Sequence, residues 1–405
     1  YKTLERFAQN CGPQDAVLTQ ARSCLIWLDI SLPQRRVETL AEAFPKISRM
    51  VRRKELVLQS FSATSGLPSI VNGGKDFSDW CTKDDQMFKT MSGPLQSVLG
   101  KYGVGLAESA IAESKYEKGE DISVRLLDLV QRMGEIRNNG TPEMEFAITA
   151  LLARSQTTSG RAGDAKRTLL ALRQRFEETG QNRYLDNLDA LLCRLDLRLG
   201  NLDAADTWYL KKAPKDPLHF DALKRYQYLT QAVVELVAGQ TKNVFLTLAP
   251  MDSYCKACGR HLDKISTDLL RAMALYREQD ERWHEYLKTA LTEAENYRFV
   301  RPASVFGGAI LPLLEQTKWT GDAKWFKAVL TDTRVQASFY PDYLRPRMSP
   351  AENLTATEMR VLHLICADKS NAEIGEIMDI KLPTVKTHVS RVLEKLGVSR
   401  RSEAK

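Results

Sequence analysis

Between residues 381 and 405 the chain offers a dense run of cationic and hydroxyl side chains: Lys381, Thr384, Lys386, Thr387, Ser390, Arg391, Lys395, Arg400, Arg401 and Lys405. Val385, Val389, Val392 and Leu396 thread the same stretch at i, i+4, i+7 and i+11, the spacing of one helical face. A helix with that apolar stripe turns Lys386, Thr387, Ser390, Arg391 and Glu394 elsewhere. Cations suit phosphate, and cationic or hydroxyl groups at close spacing suit base edges in the major groove. Charge is segregated accordingly: residues 379–405 hold seven Lys or Arg against three acids, whereas residues 354–378 hold two against four.

Short elements must position these groups. Thr355 with Glu358, and Ser370 with Glu373, have the spacing of capping boxes, in which each side chain satisfies an orphan backbone N–H at a helix start. They predict helices over about 356–367 and 371–378. Met378-Asp379-Ile380 then forms a tight turn into a third helix over about 383–396, stopped by Gly397. Two short helices joined by a tight turn, the second basic on its outer face, fit the width of the major groove.

Leu354-Thr355, Glu358, Val361-Leu362, Ser370-Asn371, Glu373-Ile374, Thr384-Val385-Lys386-Thr387-His388 and Lys395-Leu396-Gly397-Val398 together resemble the LuxR/GerE-type helix-turn-helix in order and spacing. The resemblance implies a four-helix domain that binds double-stranded DNA. It makes Lys386, Thr387 and Ser390 the base-edge readers and Thr384, Arg391 and Lys395 phosphate contacts, with Asn371 adding one from the second helix. His388 is expected to pack rather than bind metal, since it has no co-ligands. Two departures stand out: Lys381 where a Ser cap is common, and Asp368 in place of a frequent glycine.

Upstream, the chain reads as helix after helix. Ala165, Leu169, Leu172 and Phe176 form one stripe, and Leu185, Leu188, Leu192, Leu195 and Leu199 another. Thr141-Pro142 reads as an N-cap with first-turn proline, and Gly180 as a stop. Tight turns at Gly119, Gly160, Gly200, Gly239, Gln279-Asp280 and Thr320-Gly321 recur about every 40 residues. Such a period means stacked helical hairpins, because one amphipathic hairpin cannot bury its own apolar face. The predicted fold is therefore all-α: a superhelix of TPR-like hairpins over 1–338, a linker over 339–353 with Pro341, Pro346 and Pro350, and the DNA-binding domain over 354–405. Residues 62–80, with Gly66, Pro68, Asn72-Gly73-Gly74 and Trp80, read as a long loop, taken first as a connector and otherwise as a lip over the superhelix.

A superhelix of this period directly before a LuxR-type domain resembles the sensor region of the MalT-like, ATP-dependent large LuxR-type activators. That resemblance implies an inducer-binding superhelix that controls multimer formation, preceded by a nucleotide-binding module. The expected partners are double-stranded DNA, an unidentified small-molecule or protein effector, and further copies of the chain on DNA; the resemblance also allows RNA polymerase. The alternative is a repeat scaffold that binds a protein partner while the DNA-binding domain localises the complex.

Other candidate chemistry is thin. Gly93 and Gly100-Lys101 are spaced wrongly for a phosphate-binding loop, and Tyr102 replaces its magnesium-binding hydroxyl. Any ATPase activity is expected upstream of Tyr1. Cys255-x-x-Cys258-x-x-His261 lacks the second pair that closes a structural zinc site, and reads as incidental packing. Arg52-Arg53-Lys54 and Arg35-Arg36, beside Glu38 and Glu55, read as a solvated helix face. Trp208, Tyr209, Trp283, Trp319 and Trp325 read as repeat core. No catalytic constellation or cofactor site emerges, so the expectation is a regulator and not an enzyme.

Composition agrees. At 405 residues, 43% hydrophobic and 27% charged, the chain can bury a core in more than one domain. A net charge of +7 permits nucleic-acid binding without requiring it. Seven irregularly spaced cysteines argue against a secreted disulfide framework, and no apolar run or signal peptide points to a membrane, so the expected location is the cytoplasm. Starting at Tyr1, the sequence is expected to be part of something longer.

Overall fold

The computed structural model describes residues 1–12, 16–32, 38–53, 62–215, 220–340, 354, 356–396, 398 and 400–403. Pro341, Pro346 and Pro350 of the expected linker, Thr355 of the first capping box, Gly397, Arg35, Arg36, Lys54 and Glu55 lie outside these residues. The chain divides into two compact units, Tyr1–Leu344 and Arg345–Lys405. Among the described residues the structure is helical, with one isolated bridge between Asn72 and Asp76 and no strand. No helix among them is long and apolar enough to cross a membrane.

In the first unit, helical hairpins follow one another. Leu106–Glu117 pairs with Ser123–Gln131, Met133–Asn139 follows and packs on Pro142–Thr158, Pro142–Thr158 pairs with Ala162–Glu178, and Leu185–Arg198 with Leu202–Lys211. Arg225–Val237 pairs with Thr241–Cys258, and His261–Arg277 with Trp283–Asn296. Gly119, Gly160, Gly200 and Gly239 sit at the turns with φ between 72° and 78°, a region that costs other residues roughly 1–2 kcal/mol. Gln279 adopts the same conformation (φ 57°) at the fifth turn. The sixth turn is built differently: the Asp322 carboxylate accepts from the N–H groups of Lys324 and Trp325 and so starts helix Ala323–Phe339. Before it, Gly307-Gly308 and Pro312 split the first helix of the hairpin into short pieces, Arg301–Ser304 and Leu311–Gln316, with Pro302 and Pro312 each in a first turn.

The predicted stripes are the core. Ala165, Leu169, Leu172 and Phe176 are buried, as are Leu188, Leu192 and Leu195, while Leu199 is exposed past the helix end. Trp208, Trp283 and Trp325 are buried, with Tyr209 and Trp319 packed partly against them.

Residues 62–80 are more than a connector. Thr64, Leu67, Ile70, Val71, Asp76 and Ser78 are buried, and five successive hairpins contribute groups to the segment. Glu113 accepts from the N–H groups of Ile70 (2.6 Å) and Val71 (3.0 Å), and Glu143 from the N–H and hydroxyl of Thr64, both at 2.6 Å. Asn187 donates to the Gly66 carbonyl at 2.9 Å. Arg225 and Arg260 both donate to the carbonyls of Asn72 and Gly73, and Asp263 accepts from the Asn72 amide at 2.7 Å. A buried loop is costly when its backbone groups go unpaired; here the first helices of five hairpins supply the partners. The segment is a strap across the inner faces of the stack.

The stack also closes on itself. The Val300 N–H donates to the Glu117 carbonyl at 2.7 Å, the Gln336 amide to the Thr158 carbonyl at 2.9 Å, and the Tyr340 hydroxyl to the Thr157 carbonyl at 2.5 Å. A Cβ at Gly119 would lie 3.2 Å from the Val300 Cβ, and one at Gly160 would lie 3.0 Å from the Phe339 ring. These two glycines therefore serve the turn and the closure together.

Candidate nucleic-acid interface

Within the second unit, helices Ala356–Cys366, Asn371–Met378 and Leu382–Leu396 enclose a small core of Leu354, Val361, Leu362, Ile365, Ile374, Val385, Val389 and Val392. A 3-10 turn, Arg401–Glu403, follows as the fourth element. The Ser370–Glu373 capping box is formed: the Ser370 hydroxyl accepts from the Glu373 N–H at 3.3 Å, and the Glu373 carboxylate from the Ser370 N–H at 2.7 Å. Those bonds from Ser370 hold the Glu373 carboxyl below its ordinary range.

Two aspartates replace the glycines usual at helix ends. Asp368 (φ 62°) and Asp379 (φ 53°) both turn left-handed, after the first and second helices respectively. The chain then reverses tightly, with the Ile380 N–H bonded back to the Gly375 carbonyl at 3.0 Å. Gly375 was not singled out from the sequence, yet a Cβ there would meet the Ile380 carbonyl oxygen at 3.0 Å. At Lys381 the backbone carbonyl takes the first helical bonds, from Thr384 (2.9 Å) and Val385 (3.1 Å).

On helix Leu382–Leu396 the valine stripe is buried, and Thr384, Lys386, Thr387, Ser390, Arg391 and Glu394 are exposed. At 3.6 residues per turn, Lys386, Ser390 and Glu394 make one outer row and Pro383, Thr387 and Arg391 the next. The Thr387 hydroxyl donates to the Pro383 carbonyl at 3.1 Å, so toward solvent it is left as an acceptor. One acidic group, Glu394, therefore shares a face otherwise cationic and hydroxylic.

Two of the expected contact residues are already engaged. Lys395 lies at the flank of the face, its ammonium 2.7 Å from the Glu358 carboxylate, which is almost fully buried. Asn371 starts the second helix and accepts from Arg401 at 2.8 Å, while the same guanidinium reaches the Lys369 carbonyl. Both pairings join residues 30 or more positions apart, beyond what helical periodicity can show. His388 is half-buried, and its Nδ1 is buried without a hydrogen bond.

Elsewhere, Cys255 lies in the repeat core, where burial pushes its thiol pKa up, and His261 pairs with Glu293 (Nδ1 to Oε1, 2.5 Å). Among the described residues no group of three His, Cys, Asp or Glu is arranged to hold a metal ion.

Comparison with known proteins bears on both units. The luxR family of bacterial regulatory proteins matches residues 352–405, and the MalT-like TPR region matches residues 129–319. The transcriptional regulatory protein LiaR of Bacillus subtilis is 49% identical over 55 residues, covering 14% of this chain and 26% of that protein. The HTH-type transcriptional regulator MalT of Cronobacter sakazakii is 24% identical over 292 residues, covering 66% of this chain and 32% of its own length. MalT of Yersinia pestis is 26% identical over 301 residues, covering 67% and 32% respectively. The chain thus spans about a third or less of the length of these curated relatives. No solved structure matches it. Family matches, repeat architecture and exposed basic helix agree: the chain carries a LuxR-type helix-turn-helix domain over residues 352–405, and a MalT-like TPR region over residues 129–319 precedes it.

Proposed function

We propose that helix Leu382–Leu396 enters the major groove of double-stranded DNA, with Lys386, Thr387 and Ser390 reading base edges. Thr384 and Arg391 contact phosphate, with Asn371 and Lys395 at the flanks. The observation that carries this reading is the division of one helix into a buried valine stripe and an exposed basic and hydroxyl face. The Asn371 side-chain carbonyl is taken by Arg401, which leaves its amide NH2 as the group to donate to phosphate. The functional division follows the sequence boundaries: residues 1–338 sense an effector or partner and govern self-association, residues 339–353 link, and residues 354–405 bind DNA in the cytoplasm, within reach of RNA polymerase. Pairing two such domains on adjacent half-sites raises occupancy through effective concentration.

An effector-sensing role for the first unit, in preference to a scaffold for an external peptide, is supported by the strap that already fills the inner face. The DNA-binding assignment is tested by titrating duplexes at several salt concentrations. Lys386→Ala should relax sequence preference and cost about 1–3 kcal/mol on the preferred site. Arg391→Ala should weaken all sequences alike and lower the salt slope by about one unit. Equal and negligible effects of both would mean that this helix does not enter the groove.

A further inference from the structure

An open cleft of about 190 Å³ lies in the first unit, walled by first helices from successive hairpins, by the strap at Leu67–Asn72, and by residues 301–306. Its charged lining is lopsided. Arg154, Arg194, Arg198, Arg225 and Arg301 face Glu117 and Asp263.

Most of these charges are mutually satisfied. Arg154 is shared between Glu113 and Glu117, Arg301 holds Asp332 through both carboxylate oxygens (2.8 and 2.7 Å), and Arg225 with Arg260 straddles Asp263 (3.0 and 3.2 Å). Arg194 and Arg198, one helical turn apart on Leu185–Arg198, have no carboxylate within ion-pair distance among the described residues. Arg194 spends its Nε on the Thr230 hydroxyl (2.7 Å) and lies 4.2 Å from the centre of the Tyr226 ring; Arg198 gives one Nη to the Val305 carbonyl (2.8 Å). In the same lining, the Nε atoms of Arg154 and Arg301 are buried without any hydrogen bond. Arg194 and Arg198 are half-buried in this cleft, and guanidinium groups drawn partly out of water without a carboxylate partner favour an anion.

Much of the remaining wall is apolar or aromatic, Tyr116, Leu191, Tyr226, Leu229 and Phe306 among it, with Ser69, Asn72, Thr157 and Ser266 between them. Arg154 and Arg301 both lie over Tyr116, 5.0 and 5.3 Å from its ring centre. Such a cleft has a forked cationic end and a greasy body. A dry cavity of about 150 Å³ can already accept benzene, so the space is enough for a small ring. We infer that this cleft binds a small organic carboxylate with an apolar or aromatic body, its carboxylate held by Arg194 and Arg198. The inference rests on the proposed sensing role of the first unit and supplies the chemical class of its effector. The guanidinium fork matches a carboxylate through paired N–H donors, and the side chains of Tyr116, Leu191, Leu229 and Phe306 suit an apolar or aromatic body.

The test is calorimetric titration of the 405-residue chain with phenylacetate, hexanoate and inorganic phosphate, and with the neutral phenylacetamide as the matched control. The expected result is saturable binding of phenylacetate or hexanoate, at least tenfold tighter than phenylacetamide, and weakened at least tenfold by Arg194→Gln with Arg198→Gln. Arg167→Gln, on the exposed face of a different helix, should leave it unchanged. The comparison of acid with amide on the unaltered chain needs no variant to fold. Absence of binding by both organic acids at millimolar concentration, equal binding of acid and amide, binding of phosphate alone, or full binding by the doubly substituted chain would each overturn the inference. DNA affinity is measured in parallel: acid binding that leaves DNA affinity untouched keeps the site and removes its sensing role, whereas no acid binding with intact DNA affinity removes the site alone.

Discussion

Lys395 illustrates how one side chain can serve two masters. Its charge was expected on phosphate, and in the structure it is bonded to Glu358, a carboxylate only 5% exposed. Lys395→Ala should therefore lower the stability of the DNA-binding unit by about 1–3 kcal/mol as well as weaken DNA binding. Adding Glu358→Gln should recover part of the melting temperature without recovering DNA affinity; recovery of both together would mean that Lys395 acts only on the fold. The residue scale is where the sequence was most and least legible. Val385, Val389, Val392, Ser370 and Glu373 follow from spacing because their partners lie within one or two turns. Glu358–Lys395 and Asn371–Arg401 do not, since three-dimensional neighbours 37 and 30 residues apart leave no periodic trace.

At the scale of elements, the hairpins were legible because their turns repeat, even where Gln279 stands in for glycine. The strap was not: its composition is that of any loop, and only the polar groups reaching in from five hairpins reveal that it is interior. Gly73 marks the tightest point. A Cβ there would sit 2.6 Å from the Ala63 carbonyl oxygen and 2.8 Å from that of Ser69, both backbone atoms. Gly73→Ala should destabilise the first unit by about 1–3 kcal/mol, whereas Gly93→Ala, with open space around it, should not; thermal melts of the two variants decide. A helix end in the same unit carries a pH response. Burial pushes the Glu117 carboxyl from its ordinary 4.5 up to about 7, with Glu113 adding to the shift and Arg154 and Arg301 opposing it. A raised folded-state value means that the native state binds the extra proton, so the associated stability is complete below pH 4.5 and is lost as pH rises through about 7. Glu117→Gln should flatten the fall in melting temperature between roughly pH 5 and 8; an unchanged slope would assign the response to another group.

At the scale of the molecule, the closing bonds matter most. A stack that touches only its neighbours can fold hairpin by hairpin as it is made. Here the carbonyls of Glu117, Thr157 and Thr158 find their partners only at Val300, Tyr340 and Gln336, with about 180 residues of chain between. At roughly 5–20 residues per second, a ribosome needs on the order of 10–35 seconds to deliver that stretch. Throughout this interval the first two hairpins are without the residues that cover their edges, and the strap lies without most of the arginines and acids that bind it. Chains halted after residue 298 should be cut by protease within 62–160 far faster than complete chains; equal resistance would show that the early hairpins mature alone. The nascent stack thus has an exposed interval of its own, and a chaperone that caps the open edges of the first two hairpins would be doing temporarily what residues 300–340 do for good.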